Sequence, residues 1–179
     1  DEIVTGAPVG NGFAFAVFDG HGGAHAARLA ARQLPSVLQR VAVASQSHVV
    51  ADHADVAAEI LSETACCEAM AELEGRILTR SEADHWDDGT CAIVALAAAI
   101  GERRIVQLIQ LGDCNAVLLQ RARTGEKLKT DAHPLLPVHR PTVPAEAERL
   151  HAVGAQVSAT GRLGGVAVLR CLGDRFLKE

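Results

Sequence analysis

Aromatic side chains are scarce in this chain, at 3% of its 179 residues, and tyrosine is absent. Aromatic residues dominate the energetic centres of protein interfaces, so the sequence offers no obvious patch from which to infer a protein partner. Hydrophobic residues still make up 49% and charged residues 22%, which are ordinary values for a globular protein. A mostly disordered chain is therefore excluded, and the length suits one domain with a sizeable core.

Long runs of a single residue type are missing as well. No Lys/Arg run is present, the net charge is −5 and the pI is near 5.9. Because nucleic-acid affinity depends on neutralising phosphates, we expect no nucleic-acid partner. The longest apolar stretch, residues 91–100, is well short of the roughly 20 residues that span a bilayer. We therefore expect no membrane association.

Cysteine pairing motifs are also absent. The five cysteines are scattered, and no C-x-x-C pair occurs among them: Cys66, Cys67, Cys91, Cys114 and Cys171. Residues 1–10 lack the features of a signal or transit peptide. A disulfide framework or a thiolate zinc site is not expected, and this cysteine usage favours a reducing, intracellular setting, which we take to be the cytoplasm.

What the chain does have is a change of pattern from helix to strand. The apolar run of Phe13, Phe15, Val17 and Phe18 predicts a buried strand that stops at Asp19. The remaining predictions are a helix over 24–32 broken or kinked at Pro35, a helix over 56–78, an antiparallel meander over 91–99, 104–111 and 116–120, a helix over 145–153, and short strands at 156–159 and 166–169. Together these elements predict an α+β layered domain.

The most informative residues follow the first predicted strand. Asp19 ends the strand, and Gly20, Gly22 and Gly23 leave the backbone bare around His21, which we place in the strand-to-helix loop. Mg²⁺ and Mn²⁺ take oxygen ligands, so the Asp19 carboxylate and the Gly20 carbonyl suit such a cation. A metal-activated water there could attack a phosphate ester while His21 protonates the departing alkoxide. The alternative is that Asp19 only caps the helix and the glycines only turn the chain.

Other clusters allow different chemistry. His21 and His25 have the i, i+4 spacing of a zinc pair on a helix, but no Glu lies between them to act as a base. Cys114 could be a nucleophile, although its position between strands favours a tight turn. An acidic cluster could supply a metal ligand, although a solvated loop is the commoner outcome: Asp84, Asp87 and Asp88.

Several separate stretches resemble the motifs of one family, the metal-dependent serine/threonine protein phosphatases of the PP2C type, in the family's order. They are residues 13–23 (F-A-F-A-V-F-D-G-H-G-G), 89–92 (G-T-C-A), 111–118 (L-G-D-C-N-A-V-L), 131–134 (D-A-H-P, against D-H-K-P), 148–155 (E-R-L-H-A-V-G-A) and 168–174 (V-L-R-C-L-G-D, against S-R-A-x-G-D), followed by Lys178. The matches extend over nearly the whole chain.

The resemblance implies two stacked antiparallel sheets flanked by helices, an α-β-β-α layered sandwich. Residues 1–179 would form a single domain of this type that lacks N-terminal and C-terminal segments of the family. It also implies a two-metal Mg²⁺ or Mn²⁺ site and hydrolysis of phosphoserine and phosphothreonine in a phosphoprotein substrate by a metal-bridging water. On this template Asp19 bridges the metals, Gly20 binds through its carbonyl, His21 is the general acid, and Asp1 stands for an upstream metal-site aspartate.

The chain also departs from the family pattern. An arginine that holds the substrate phosphate is absent, the D-G-x-x-D and D-N metal motifs are not found, and Cys114 and Leu169 replace residues that are usually Ser. A lone carboxylate cannot hold two divalent cations against their mutual repulsion. Two interpretations follow: part of an active phosphatase, or a pseudophosphatase that serves as a scaffold or structural subunit for protein partners. We favour the enzyme because a structural descendant has no chemical need of His21.

Overall fold

The computed structural model describes residues 1–46, 60–124, 127–163, 167 and 169–178. Its strands are β1 (Glu2–Val9), β2 (Gly12–His21), β3 (Gly89–Ile100), β4 (Arg103–Leu111), β5 (Val117–Thr124), β6 (Lys127–Pro134) and β7 (Leu172–Gly173). Its helices are α1 (His25–Gln46), α2 (Glu63–Asp84) and α3 (Pro144–Ala152), with a 3₁₀ turn at Arg175–Leu177. None of these helices is both long and apolar enough to cross a membrane.

The strands form two antiparallel sheets. The larger has the order β1-β2-β3-β4, with β7 paired to β3, and the smaller consists of β5 and β6. The predicted α+β class with two antiparallel sheets and helices is confirmed. The predicted meander is wrong in one respect, because the strand after Gly112 pairs with β6 rather than with β4.

The core lies between one face of the large sheet and helices α1 and α2. Ala14, Ala16 and Phe18 of β2 are buried, and they alternate with Phe13, Phe15 and Val17, which are exposed in the described structure. The run predicts a buried strand, but alternate residues of a strand point to opposite faces, and only one face of β2 is buried. The two alanines present little bulk on the face that meets α1.

Helix α1 continues through Pro35 without a break. Proline removes one hydrogen bond and strains a helix interior, but Leu34 just before Pro35 and Val37 two residues after it are both 0% exposed. Burial of this apolar face offsets the local cost, so the predicted break does not occur. The second predicted helix begins at Glu63, where Ser62 caps it by accepting from the Ala65 amide. Residues 56–59 of that prediction lie outside the described residues.

Strands β1 and β6 were not predicted, and the strand predicted at 156–159 is absent from the described structure. The strand predicted at 166–169 falls partly outside the described residues. β1 contains Gly6 and Pro8, which mask its strand pattern, and its pairing with β2 shifts register between Val4 and Ala7. Gly6 adopts a φ of +64° at that irregularity, as expected of a bulge.

Core packing gives the first prediction. Leu34→Ala should destabilise the protein by about 2–5 kcal/mol, because Leu34 is fully buried and its removal leaves a cavity. Val43→Ala on the same helix should change the free energy of unfolding by less than about 0.5 kcal/mol, because Val43 is 57% exposed. Urea denaturation of both variants measures the difference. Equal losses would contradict the assignment of the buried face of α1.

A second prediction concerns acid stability. Glu146 of α3 is buried and pairs with Arg149 at 3.0 Å and with Arg170. Burial opposes ionisation, but the hydrogen bonds from Arg170 and Arg149 outweigh it and lower the pKa of Glu146 from 4.5 to about 2. A depressed folded-state pKa stabilises the protein above the unfolded pKa. That contribution, on the order of 2 kcal/mol, should therefore be lost as pH falls from about 4.5 towards 2.

Glu146→Gln tests this effect against Glu148→Gln, an exposed position on the same helix. The gap in stability between wild type and Glu146→Gln should be largest near neutral pH and should shrink as pH falls towards 2. Glu148→Gln should follow the wild-type profile. A constant gap across the pH range would mean that the ion pairs of Glu146 do not depress its pKa.

Candidate functional site

A cavity of about 420 Å³ opens at the C-terminal end of β2. Its lining combines acids with one imidazole and one guanidinium: Asp19, His21, Gly22, Asp87, Cys91, Asp113, Arg162, Ala167, Asp174 and Phe176. Segments far apart in the sequence therefore meet here, and four of them contribute carboxylates. The structure places Asp19 and His21, both predicted as site residues, in this lining.

The backbone between β2 and α1 is tightly turned. β2 extends through His21, which pairs with Gly89 of β3, so His21 is a strand residue rather than the loop residue that was predicted. Gly22 has a φ of +72°, and a Cβ at Gly23 would overlap the Asp88 carboxylate. Glycine is needed at Gly22 for its backbone angle and at Gly23 for space.

Asp88 caps helix α1. Its carboxylate accepts hydrogen bonds from the amide of His25 at 2.7 Å and the amide of Ala26 at 3.2 Å, and it lies 3.1 Å from Nδ1 of His25. Asp88 is buried, so its prediction as part of a solvated loop is wrong. Because Asp88 fills this role, Asp19 does not cap the helix, and that alternative for Asp19 is also wrong.

The two histidines bind different carboxylates. His25 contacts Asp88 and stacks on Trp86, with ring centroids 5.4 Å apart. His21 is a strand residue whose Nε2 lies 2.7 Å from Oδ2 of Asp174. The helical i, i+4 geometry of a zinc pair therefore does not form between His21 and His25.

Asp19 is exposed to the cavity and has no hydrogen bond or ion pair through its carboxylate among the described residues. Asp1 is also exposed and lies outside the cavity lining. Asp1 directly precedes Glu2, whose register partner Phe18 directly precedes Asp19. The two aspartates therefore lie at the same end of the β1-β2 ladder.

His21 is held by a buried carboxylate. Asp174 accepts hydrogen bonds on Oδ2 from His21 at 2.7 Å and from the Cys171 thiol at 2.8 Å. The hydrogen bond to Asp174 raises the pKa of His21 against the opposing effect of burial. Burial would raise the pKa of Asp174, but its hydrogen bonds lower it instead. The pair therefore favours a charged imidazolium next to a charged carboxylate.

The position of Asp174 depends on the lack of a side chain at Gly89. A Cβ on Gly89 would lie 2.5 Å from the Asp174 Cγ and from both of its carboxylate oxygens. Asp174 has a φ of +49°, and its amide donates to the carbonyl of Asp88 at 3.1 Å. Gly89 pairs with Gly173 across the β3-β7 bridge. The carboxylate thus packs directly over bare backbone.

Asp113, like Asp174, directly follows a glycine whose backbone is in the left-handed region. Gly112 has a φ of +82° and Gly173 a φ of +81°, and each precedes an aspartate that faces the cavity. Asp113 pairs with Arg140 at 2.7 Å, and this hydrogen bond lowers its pKa. These two Gly-Asp dipeptides were the available sequence signal for Asp113 and Asp174, but turns use the same dipeptide.

Cys114 lies beside a second thiol. Cys91 is buried, and its thiol lies 3.5 Å from Oδ1 of Asp113. The neighbouring Cys91 thiol lowers the pKa of Cys114, whereas the pKa of Cys91 is raised. Gly112 and Asp113 form the expected turn before Cys114.

The donor set at Asp19 fits a hard cation. The Asp19 carboxylate has no competing partner among the described residues, whereas Asp87, Asp113 and Asp174 in the same lining are each paired. Mg²⁺ and Mn²⁺ prefer oxygen ligands of this kind. A second hollow of about 500 Å³ is less suited, because its ion pairs Arg28 to Glu2 and Arg80 to Asp84 already match most of its charge.

A model of the family described as protein phosphatase 2C matches residues 8–179. The chain belongs to the protein phosphatase 2C family. Its relatives include the probable protein phosphatase 2C 30 of Arabidopsis thaliana, 32% identical, with 92% of this chain matched to 37% of that protein. The human probable protein phosphatase 1N is 33% identical, with 92% of this chain matched to 33% of that protein. The chain therefore spans about a third of the length of these relatives.

Solved structures give the same protein phosphatase 2C fold. The chain superposes on a serine-threonine phosphatase 2C from Toxoplasma gondii with a TM-score of 0.61 at 19% identity, covering 94% of this chain and 60% of that one. It also superposes on a C. elegans sex determining protein with a TM-score of 0.65 at 22% identity, covering 97% of this chain and 43% of that one. The resemblance drawn from the separate sequence motifs is confirmed.

Gly89 and Gly75 allow a matched pair of glycine-to-alanine substitutions. Gly89→Ala should destabilise this protein phosphatase 2C domain by about 1–3 kcal/mol, because the new methyl collides with the Asp174 carboxylate. Gly75→Ala, inside helix α2 where an added methyl would meet no atom within 4 Å, should instead stabilise it by about 0.5–1 kcal/mol. Urea denaturation measures whether each substitution raises or lowers the free energy of unfolding. A neutral Gly89→Ala would show that Asp174 does not need the bare backbone.

Proposed function

We propose that the protein containing this chain hydrolyses phosphoserine and phosphothreonine in proteins with the help of Mg²⁺ or Mn²⁺. The observation that supports it most is that the cavity brings Asp19, a carboxylate with no partner among the described residues, together with the imidazole of His21, which is held by the buried Asp174. Membership of the protein phosphatase 2C family supports the reaction class. Phosphoproteins are accordingly the proposed partners, and a cytoplasmic location stays a prediction.

Asp19 and the Gly20 carbonyl are the proposed metal ligands. Gly20 is partly exposed and has only small neighbours, with Ala27 Cβ 3.2 Å from the position its own Cβ would take. Asp1, at the same strand end, is the third proposed ligand. A bound divalent cation would supply a water of lowered pKa for attack on phosphorus.

His21 is the proposed general acid. The Asp174 hydrogen bond raises the pKa of His21, so a proton is available on the ring near neutral pH. The ring is fixed by that contact while 29% of the side chain stays open to the cavity. A proton on His21 can then pass to the serine or threonine oxygen as it leaves phosphorus.

The alternative function is a pseudophosphatase scaffold that binds partners without catalysis. The unpartnered Asp19 and the costly placement of Asp174 support the enzyme, since a scaffold has no use for either. Backbone held in an uncommon region tends to mark functional sites.

Activity of the full-length protein towards a phosphothreonine peptide tests the proposal. Asp19→Asn should lower kcat/KM by about 100-fold or more, because it removes the proposed metal-binding charge. Asp84→Asn is the control, since Asp84 is exposed and pairs with Arg80. Full activity of Asp19→Asn would exclude Asp19 as a ligand.

Removal of the proposed acid has its own signature. His21→Ala should lower kcat on the phosphothreonine peptide by about 100-fold or more. The same variant should lose much less on an aryl phosphate, whose leaving group departs without a proton. An equal loss on both substrates would argue against proton donation. An inactive wild type that still binds protein partners would support the scaffold.

A further inference from the structure

We propose that His21, Cys171 and Asp174 form a separate metal site that takes Zn²⁺. Zn²⁺ binding there is argued from these three side chains alone. Its consequence for catalysis, loss of the proton donor, rests on the proposed function. The site is distinct in residues and in donor chemistry from the oxygen ligands proposed at Asp19 and Gly20.

The three ligand atoms already lie together. His21 Nε2, Cys171 Sγ and Asp174 Oδ2 are all within 4.8 Å of one another. Nε2 is 2.7 Å and Sγ is 2.8 Å from the shared carboxylate oxygen. Tetrahedral zinc with bonds of about 2.0–2.3 Å places neighbouring ligand atoms roughly 3.4–3.7 Å apart. Shifts of about 1 Å or less would therefore admit the ion.

The donor types select the metal. An imidazole nitrogen, a thiolate sulfur and a carboxylate oxygen form a mixed set that suits Zn²⁺, whereas Mg²⁺ and Mn²⁺ favour oxygen alone. The S-R-A-x-G-D motif, which residues 168–174 resemble, has alanine at the position of Cys171, and alanine offers no ligand. This chain therefore carries a soft donor beside its proposed general acid.

The ligands are held by ordered structure. Asp174 is 2% exposed and is fixed between the bare backbone of Gly89 and the carbonyl of Asp88. The Cys171 carbonyl accepts from Lys178 Nζ at 3.0 Å, and the Lys178 ammonium is paired with Glu74. His21 and Asp174 line the cavity, which leaves room for water as a fourth ligand. Three protein ligands and one open position are typical of an accessible zinc site.

Without metal, the imidazole N–H and the thiol S–H both donate to Asp174. When Zn²⁺ enters, the Cys171 S–H bond and the His21 Nε2–H bond break, Zn–S and Zn–N bonds form, and both protons leave to solvent. With the Nε2 lone pair bound to the metal, His21 can no longer be the imidazolium that gives a proton to a leaving oxygen. Zn²⁺ would therefore act as an inhibitor of the phosphatase.

Cobalt binding tests the site directly, because thiolate ligation of Co²⁺ gives a charge-transfer absorption band. The full-length protein in excess Mg²⁺ should show this band on addition of Co²⁺ and lose it when Zn²⁺ displaces the cobalt. Cys171→Ser, which keeps a hydrogen-bond donor for Asp174, should abolish the band and weaken calorimetric Zn²⁺ binding by about tenfold or more. Cys67→Ser, at an exposed position on α2, should change neither.

Inhibition of phosphatase activity by Zn²⁺ is measured on the same variants. Zn²⁺ should inhibit wild type and Cys67→Ser at concentrations about tenfold or more below those needed for Cys171→Ser. A band or a Zn²⁺ affinity unchanged in Cys171→Ser would overturn the proposal. If the protein has no phosphatase activity, the spectral and calorimetric results still decide the site, so the two proposals fail separately.

Discussion

The hydrogen bond between His21 and the buried Asp174 is the contact on which the site depends. It joins the end of β2 to the residue after β7, across 153 positions of sequence. A buried carboxylate is costly unless it is hydrogen-bonded, so Asp174 requires His21 and Cys171 as much as they require it. Because the carboxylate packs over Gly89, the geometry of β3 sets where the imidazole points. The three strands β2, β3 and β7 therefore position one functional group together.

Asp88 fixes the start of helix α1, as Asp174 fixes the ring of His21. Its carboxylate receives the first amides of the helix, and its carbonyl receives the amide of Asp174. One residue therefore ties the helix start and the His21 partner to the same point of the backbone. A negative charge at the N-terminus of a helix is favoured both by the free amides and by the helix dipole. This leaves Asp19, at the end of the neighbouring strand, free of any structural duty among the described residues.

Local sequence was enough to predict where the site begins, and not enough to predict what completes it. The strand that ends at Asp19 and the glycines around His21 have signals within a few residues. The hydrogen bonds of Asp88 to the start of α1 and of Asp174 to His21 span 62 to 153 positions and leave no periodic pattern in the sequence. The Gly-Asp dipeptides at 112–113 and 173–174 resemble ordinary turns. Alternation in β2 also could not tell which face is packed, because Phe13 and Phe18 are equally apolar.

Charge balance explains why the cavity suits a cation at Asp19. Among the lining acids, Asp87 pairs with Arg175 at 3.1 Å, Asp113 with Arg140 at 2.7 Å and Asp174 with His21 at 2.7 Å. Asp19 is the lining carboxylate that has no such partner among the described residues. A divalent cation would supply the opposite charge that the Asp19 carboxylate does not receive from the described residues. Since the charge of Asp174 is already matched by His21, the proton donor and a hard cation at Asp19 do not compete for the same carboxylate.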